Sequence, residues 1–302
     1  MKASAPGKVM LTGEYAVLHG HSAVVAAVGR RAVARFGTIE SDSPLIRHLA
    51  DQLGGEAGDR ARTIEVDSSE LFDGDQKLGL GSSAAVAVSA AALALGTDDP
   101  GEVCDLALRV HRRAQAERGA KGSGADIAAS AHGGMVAVRM DGDDLVVAPL
   151  PIPGNFELVL VWTGVVADTA PLVAQVQAAG EREPEAYQAA LGRIAAASTE
   201  LMAACQAGDA PAAVAAIASG ATAHRGLAMV SGAPLITDVH KQVSAMAAVR
   251  RGASKPTGAG GGDIALAAFP GNAEATACRR DLFIAEMHAV KARIGVKGVR
   301  LG

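Results

Sequence analysis

The chain has little of what marks most specialised protein classes. Aromatic residues make up 3% of its 302 positions: one Trp, two Tyr and five Phe. The core must therefore be built from Ala, Val, Leu and Ile, with backbones packed closely. An excess of either charge is also lacking, since 28 Lys and Arg stand against 32 Asp and Glu. Such a balance supplies no global basic field, which excludes nucleic acid as an expected partner. Cysteine is rare: Cys104, Cys205 and Cys278 are far apart and form no CxxC or Cys/His spacing. Neither a disulfide framework nor a zinc site is expected, and reduced thiols in a cytoplasmic protein are the natural reading. The most apolar stretches are too short for a membrane span or are broken by Gly and Ser. Residues 1–6 carry no signal-peptide apolar region.

Glycine, by contrast, is abundant, with 36 residues, and eight of them fall in three loops. The first is Gly79-Leu80-Gly81-Ser82-Ser83-Ala84-Ala85, which feeds a run of small apolar residues that reads as a buried helix. A helix start gathers free N–H groups and about half a positive charge, so a glycine loop entering one suits an anion. The second is Gly122-Ser123-Gly124-Ala125-Asp126, opening another apolar helix. Taken alone, Asp126 there reads as a helix cap. The third is Thr257-Gly258-Ala259-Gly260-Gly261-Gly262-Asp263, ahead of the strand at 264–269. Three such loops, each beside an ionisable or hydroxyl residue, point to a polyanionic ligand held by backbone N–H groups.

Along the chain, residues 2–12 read as a strand entering a turn at Pro6-Gly7, with strands over 22–39. A helix is expected over 44–53, a strand over 62–66 and a solvated acidic loop over 67–75. Helices follow at 84–95 and 100–117, then a hairpin at 135–147. Pro149-Leu150-Pro151-Ile152-Pro153-Gly154 is the best boundary signal, giving domains 1–153 and 154–302. Beyond it come a buried strand at 156–162 and alanine-rich helices with breaks at Gly180 and Gly208. A helix over 235–252 carries Arg250 and Arg251 in its last turn, and another spans 273–290.

Standard phosphate signatures fit poorly. GxxxxGK[ST] is absent, and so are the HRD and DFG segments of protein kinases. Gly79-x-Gly81-x-x-Ala84 matches the dinucleotide fingerprint formally, but the preceding Asp73-Gly74-Asp75-Gln76-Lys77 is not a buried strand.

In their order, Pro6-Gly7-Lys8 with Gly13-Glu14, the 79–85 loop and Lys255-Pro256-Thr257-Gly258-Ala259-Gly260-Gly261-Gly262-Asp263 resemble the three motifs of the GHMP small-molecule kinases. That resemblance covers residues 3–269. It implies an α/β (α+β) two-domain fold, the N-terminal half like ribosomal protein S5 domain 2 and the C-terminal half ferredoxin-like, with ATP held between the halves. Within the family, the segments at 13–18, 77–81, 122–128, 162–169 and 262–263 are more similar to the phosphomevalonate kinase branch than to the mevalonate kinases.

The resemblance also implies roles. Lys77, Gly79, Leu80, Gly81, Ser82, Ser83 and Ala84 would wrap the ATP phosphates, supported by Gly258, Gly260 and Gly261. Ser82 would cap the helix. Ser83 and Glu117 (or Gln115) would face magnesium. Lys8 would bridge the transferring phosphoryl group and the acceptor, and Asp126 would face the acceptor oxygen. Tyr15, His19, Lys121, Ser123, Gly124, Thr163 and Gly260 complete the expected substrate contacts. A phosphorylated acceptor needs extra cations, for which Arg118, Lys121, Lys255, His19 and His21 are candidates. His111, His224, His240 and His288 have no expected catalytic role. The implied activity is transfer of the ATP γ-phosphate to the 5-phosphate of phosphomevalonate. The alternatives are the mevalonate hydroxyl, another GHMP substrate, or a non-catalytic sensor on the same fold. The expected partner is a small molecule, with no nucleic acid or membrane, acting as a monomer or homodimer.

Overall fold

The computed structural model describes residues 1–117, 119 and 122–302. Arg118 and Lys121, both candidate cations, lie outside the described residues. The chain forms two compact units, one of residues 1–9, 26–136 and 293–302, the other of 10–25 and 137–292. The division expected at 153/154 does not coincide with them. Both units are discontinuous because two long strands, β1 (Lys2–Thr12) and β2 (Ala23–Phe36), begin in one and end in the other.

In the first unit, β2 pairs antiparallel with β3 (Ile64–Asp67), after the helices α1 (Pro44–Leu53) and α2 (Gly55–Ala61). The acidic stretch holds a small hairpin, β4 (Phe72–Asp73) and β5 (Gln76–Lys77). Three helices then pack on one another: α3 (Ser82–Leu95), α4 (Pro100–Ala116) and α5 (Ala125–His132). α3 is apolar on every face and is buried on nearly every face, as such a composition requires. α4 starts on the side chain of Asp99, which accepts from the N–H groups of Gly101 and Glu102, with Pro100 in the first turn.

The second unit, after residues 10–25, resumes at residue 137 within the hairpin β6 (Met135–Asp141) and β7 (Asp144–Leu150). Its main sheet is built on β8 (Glu157–Trp162). Helices α6 (Thr169–Arg182), α7 (Pro184–Ala207), α8 (Ala210–Ser231) and α9 (Asp238–Val249) follow. Then come β9 (Ala253–Pro256), β10 (Ile264–Phe269), α10 (Asn272–Ile284) and β11 (Ala289–Val290). The sheet is antiparallel in the order β11-β8-β10-β9, with Ile264 opposite Trp162 and Phe269 opposite Glu157. α9 and α10 bury Val243, Ala247, Cys278 and Leu282 against β8 and β10. α6, α7 and α8 enclose a second core around Leu191, Ile194 and Leu227. The chain closes in the first unit with β12 (Arg300–Leu301), which pairs with Ala3 and Ser4 of β1. No helix among the described residues is long and apolar enough to cross a membrane.

Several local expectations are corrected. Pro6-Gly7 is not a turn, because β1 runs straight through it. Proline is tolerated there because pairing with β12 ends at Ser4, and two residues on, the Lys8 N–H turns to the Leu80 carbonyl and not to a strand. α6 does not break at Gly180; it ends at Arg182, before Pro184 starts the next helix. Arg250 and Arg251 lie just past the end of α9, with Arg251 at φ 59°. The last helix stops at Ile284, and residues 289–290 form an edge strand instead.

Candidate active site

β1 brings Lys8 to the first glycine loop by a very close backbone approach. A Cβ on Gly7 would lie 2.6 Å from the Leu80 carbonyl oxygen, and the Lys8 N–H donates to that same oxygen at 2.8 Å. Gly79 and Gly81, at φ 75° and 77°, turn the chain into α3. A Cβ on Gly81 would lie 2.8 Å from Cε of Lys8, so the lysine stem runs along the start of the helix only because residue 81 has no side chain. The residue flanking the helix is Gly81 rather than Ser82, and no side chain caps it. Ser82 is the first helical residue and is buried, because the left-handed turn at Gly81 places it inside the helix. The N–H groups of this first turn thus have no side-chain cap, as an anion cradle requires.

Asp126 sits in the first turn of α5 behind Gly124, itself at φ 81°, so it is not the cap it resembles in sequence. Ser123 Oγ accepts from the Ala125 N–H at 3.2 Å. α5 is tied to β1 by Ser130, whose hydroxyl donates to the Pro6 carbonyl at 2.6 Å. The result is an ion pair, Lys8 Nζ to Asp126 Oδ2 at 3.9 Å, with side-chain exposures of 14% and 34%. Burial works to raise the Asp126 pKa. The charges of Lys8, His111 and Lys77, with a backbone hydrogen bond, outweigh it and hold the carboxyl below its usual range. Ser83 Oγ lies 3.0 Å from His111 Nε2 of α4. No sequence signal gave His111 a part here; only the packing of α3 against α4 does.

The remaining first-unit candidates are more scattered. The Glu117 carboxylate lies 3.0 Å from Nε2 of the buried His48 on α1. Gln115 lies against Gly122, where a Cβ would meet its Oε1 at 2.5 Å. Lys77 is exposed, while Leu80 and Ala84 are buried core residues. Among the described residues, no three His, Cys, Asp or Glu side chains gather as a metal cluster.

In the second unit, the 257–263 loop has Gly258, Gly260 and Gly261 at φ 63°, 76° and 74°. A Cβ on Gly260 would lie 2.4 Å from the Leu235 carbonyl oxygen and 3.1 Å from His224 Nε2. Lys255 is not available to a ligand, contrary to its listing among candidate cations from sequence. It is 2% exposed, and its Nζ donates to Glu14 Oε1 and, at 2.7 Å, to the Pro256 carbonyl. Glu14, quoted above only as part of a motif, is the residue that sequence reasoning left without a role. Tyr15 is buried, and its hydroxyl donates to the Ala259 carbonyl at 2.7 Å. His19 is exposed, 3.0 Å from the Tyr187 hydroxyl, with its pKa lowered by partial burial and then by His21. Thr163 is buried, its hydroxyl donating to the Val165 carbonyl and its N–H to the Asp263 carbonyl.

Comparison with known proteins bears on the fold that carries these residues. Residues 63–134, which contain the first two glycine loops, match the family model for the GHMP kinases N terminal domain. A phosphomevalonate kinase from a Streptomyces species is 27% identical, over 87% of this chain and 88% of its own. One from Saccharolobus solfataricus is 30% identical over 57% of this chain and 60% of its own. The structure of Streptococcus pneumoniae phosphomevalonate kinase in complex with phosphomevalonate and AMPPNP superposes with a TM-score of 0.82, at 17% identity, over 97% of this chain and 99% of that one. The first glycine loop and Asp126 thus lie within the segment that matches the GHMP kinases N terminal domain, and the chain as a whole has the two-domain α/β fold of the GHMP kinases.

Proposed function

We propose that this protein is an ATP-dependent kinase that transfers the γ-phosphate to the 5-phosphate of phosphomevalonate, giving diphosphomevalonate. The observation that carries this reading is Lys8 lying along the uncapped start of α3 with Asp126 at 3.9 Å. Phosphoryl transfer needs positioning and neutralisation of oxygen charge far more than covalent chemistry. The N–H groups at the start of α3 receive the ATP phosphates, and Lys8 reaches the phosphoryl group and the acceptor oxygen.

Asp126 bears on which acceptor. A general base works best with a pKa near the operating pH, whereas this carboxyl is held below its ordinary range. A phosphate monoester has a second pKa of about 6 and is already largely dianionic at neutral pH. It attacks without losing a proton to the enzyme, so Asp126 orients Lys8 instead. The mevalonate hydroxyl, by contrast, would need that proton removed.

Magnesium binds through one or two protein oxygens, several waters and substrate phosphates, not through a dedicated protein cage. Ser83 Oγ and the Asp126 carboxylate are hard oxygens that share His111 as a neighbour, which fits such a sparse set. Bound with ATP, the ion neutralises charge on the phosphate oxygens. Glu117, the other expected magnesium partner, is instead held beside His48. A cytoplasmic setting belongs to the same reading, with all three cysteines buried and none in a disulfide among the described residues.

The direct test is ADP release with mevalonate, 5-phosphomevalonate and 3-phosphomevalonate offered side by side. Turnover with 5-phosphomevalonate is expected, and turnover with mevalonate alone would overturn the acceptor assignment.

A further inference from the structure

Two consecutive residues, Glu14 and Tyr15, hold two points of the 257–263 loop. Glu14 takes the ammonium of Lys255, which also donates to the Pro256 carbonyl immediately before the loop. The Tyr15 hydroxyl donates to the Ala259 carbonyl within it. Both members of the ion pair are almost completely enclosed, with side-chain exposures of 1% and 2%. Burying two charges is costly, and apolar residues of the same volume often serve stability equally well or better. Stability alone is therefore a weak reason for the pair.

The backbone gives a second, independent sign. Tyr15 sits at φ 62°, a conformation in which a bulky side chain is strained. Such strain persists only where the surroundings over-determine it, and it gathers at functional segments. Here the ring is buried, edge-on to His224 at 6.2 Å between centroids, and His224 in turn faces Gly260. His224 is completely buried, and neither ring nitrogen has a hydrogen-bond partner among the described residues. Burial, then Lys255 and His240, keep its pKa well below the usual value, so the ring is neutral against the loop.

We infer that Glu14, Lys255 and Tyr15 are positioning residues, which hold the 257–263 glycine loop in the one conformation that accepts the nucleotide. The inference rests on the kinase reading for what the loop accepts, but not for the anchoring itself. A ligand's apparent affinity falls in proportion to the population of the competent conformer. Releasing the anchors so that about a tenth of molecules keep the loop in place would weaken nucleotide binding about tenfold.

The experiment uses the full chain carrying Glu14→Gln with Lys255→Met, which removes both charges together, and separately Tyr15→Phe, which removes one hydroxyl. Amide hydrogen exchange of residues 257–263 and calorimetric titration with Mg-AMPPNP are measured beside the melting temperature. Faster exchange confined to that loop, with about tenfold weaker nucleotide binding and a melting temperature near wild type in the double variant, is expected. Exchange in the loop unchanged in both variants would overturn the inference, as would weakening that merely tracks a lowered melting temperature. Exchange reads the anchoring directly, so a wild-type chain that fails to bind nucleotide would defeat the kinase reading without obscuring this result.

Discussion

Each unit of the molecule contains a lysine paired with a carboxylate, and the two pairs are built to opposite ends. Lys8 and Asp126 meet at 3.9 Å, with a third of the aspartate side chain exposed. Lys255 and Glu14 are in direct contact, closed off from solvent, and Lys255 is further satisfied by the Pro256 carbonyl. An ammonium has three donors, and Lys255 gives two of them to its own fold. Lys8 is held loosely enough to give its donors to a ligand. On the function proposed above, the same pair of functional groups serves reaction chemistry where it is open and backbone placement where it is sealed. Motif membership alone does not distinguish these uses; burial does.

The comparison can be broken at its sealed end first. Lys255→Met alone leaves the Glu14 charge buried without a partner, and a loss of about 3–5 kcal/mol is expected on that account. Adding Glu14→Gln to it should restore much of that stability, as read by denaturant midpoints. At the open end, Lys8→Met should leave the midpoint close to wild type but cut kcat by about 10²–10³-fold, as removal of a donor to developing charge does elsewhere. Gly81→Ala sharpens the same point. It forces a side chain into φ 77° and against the Lys8 stem, costing about 1–2 kcal/mol for the left-handed conformation, with a rise in KM for ATP. A smaller effect concerns acid. The Asp126 carboxyl is held below its usual pKa, so its pairing contributes stability above an unfolded value of about 3.9. That contribution is lost as pH falls through the lower folded value. Stability measured below about pH 4 should therefore fall less steeply in Asp126→Asn than in wild type.

Much of the fold was legible because its signals are local. Alternation and small-residue runs marked most strands and helices, and Gly208 announced the α7–α8 turn. Pro6-Gly7 misled because the usual meaning of proline and glycine yields where the strand's pairing with β12 has already ended. Ser82 misled for a related reason: glycine in a left-handed turn took the flanking position. That the first loop, Lys8 and Asp126 come close together was expected from the motif resemblance. His111 beside Ser83 and Glu14 beneath Lys255 were not, since contacts 28 and 241 residues apart follow from packing and leave no local pattern.

On the function proposed above, the open pair also bears on the choice of acceptor, and there the smallest change is the most informative. Turnover of 5-phosphomevalonate by Asp126→Asn, compared with wild type at saturating ATP, asks whether the carboxylate takes a proton. If Asp126 only orients Lys8, kcat should fall by much less than the roughly 10²–10⁴-fold that accompanies loss of a general base. A loss within that range would contradict the account.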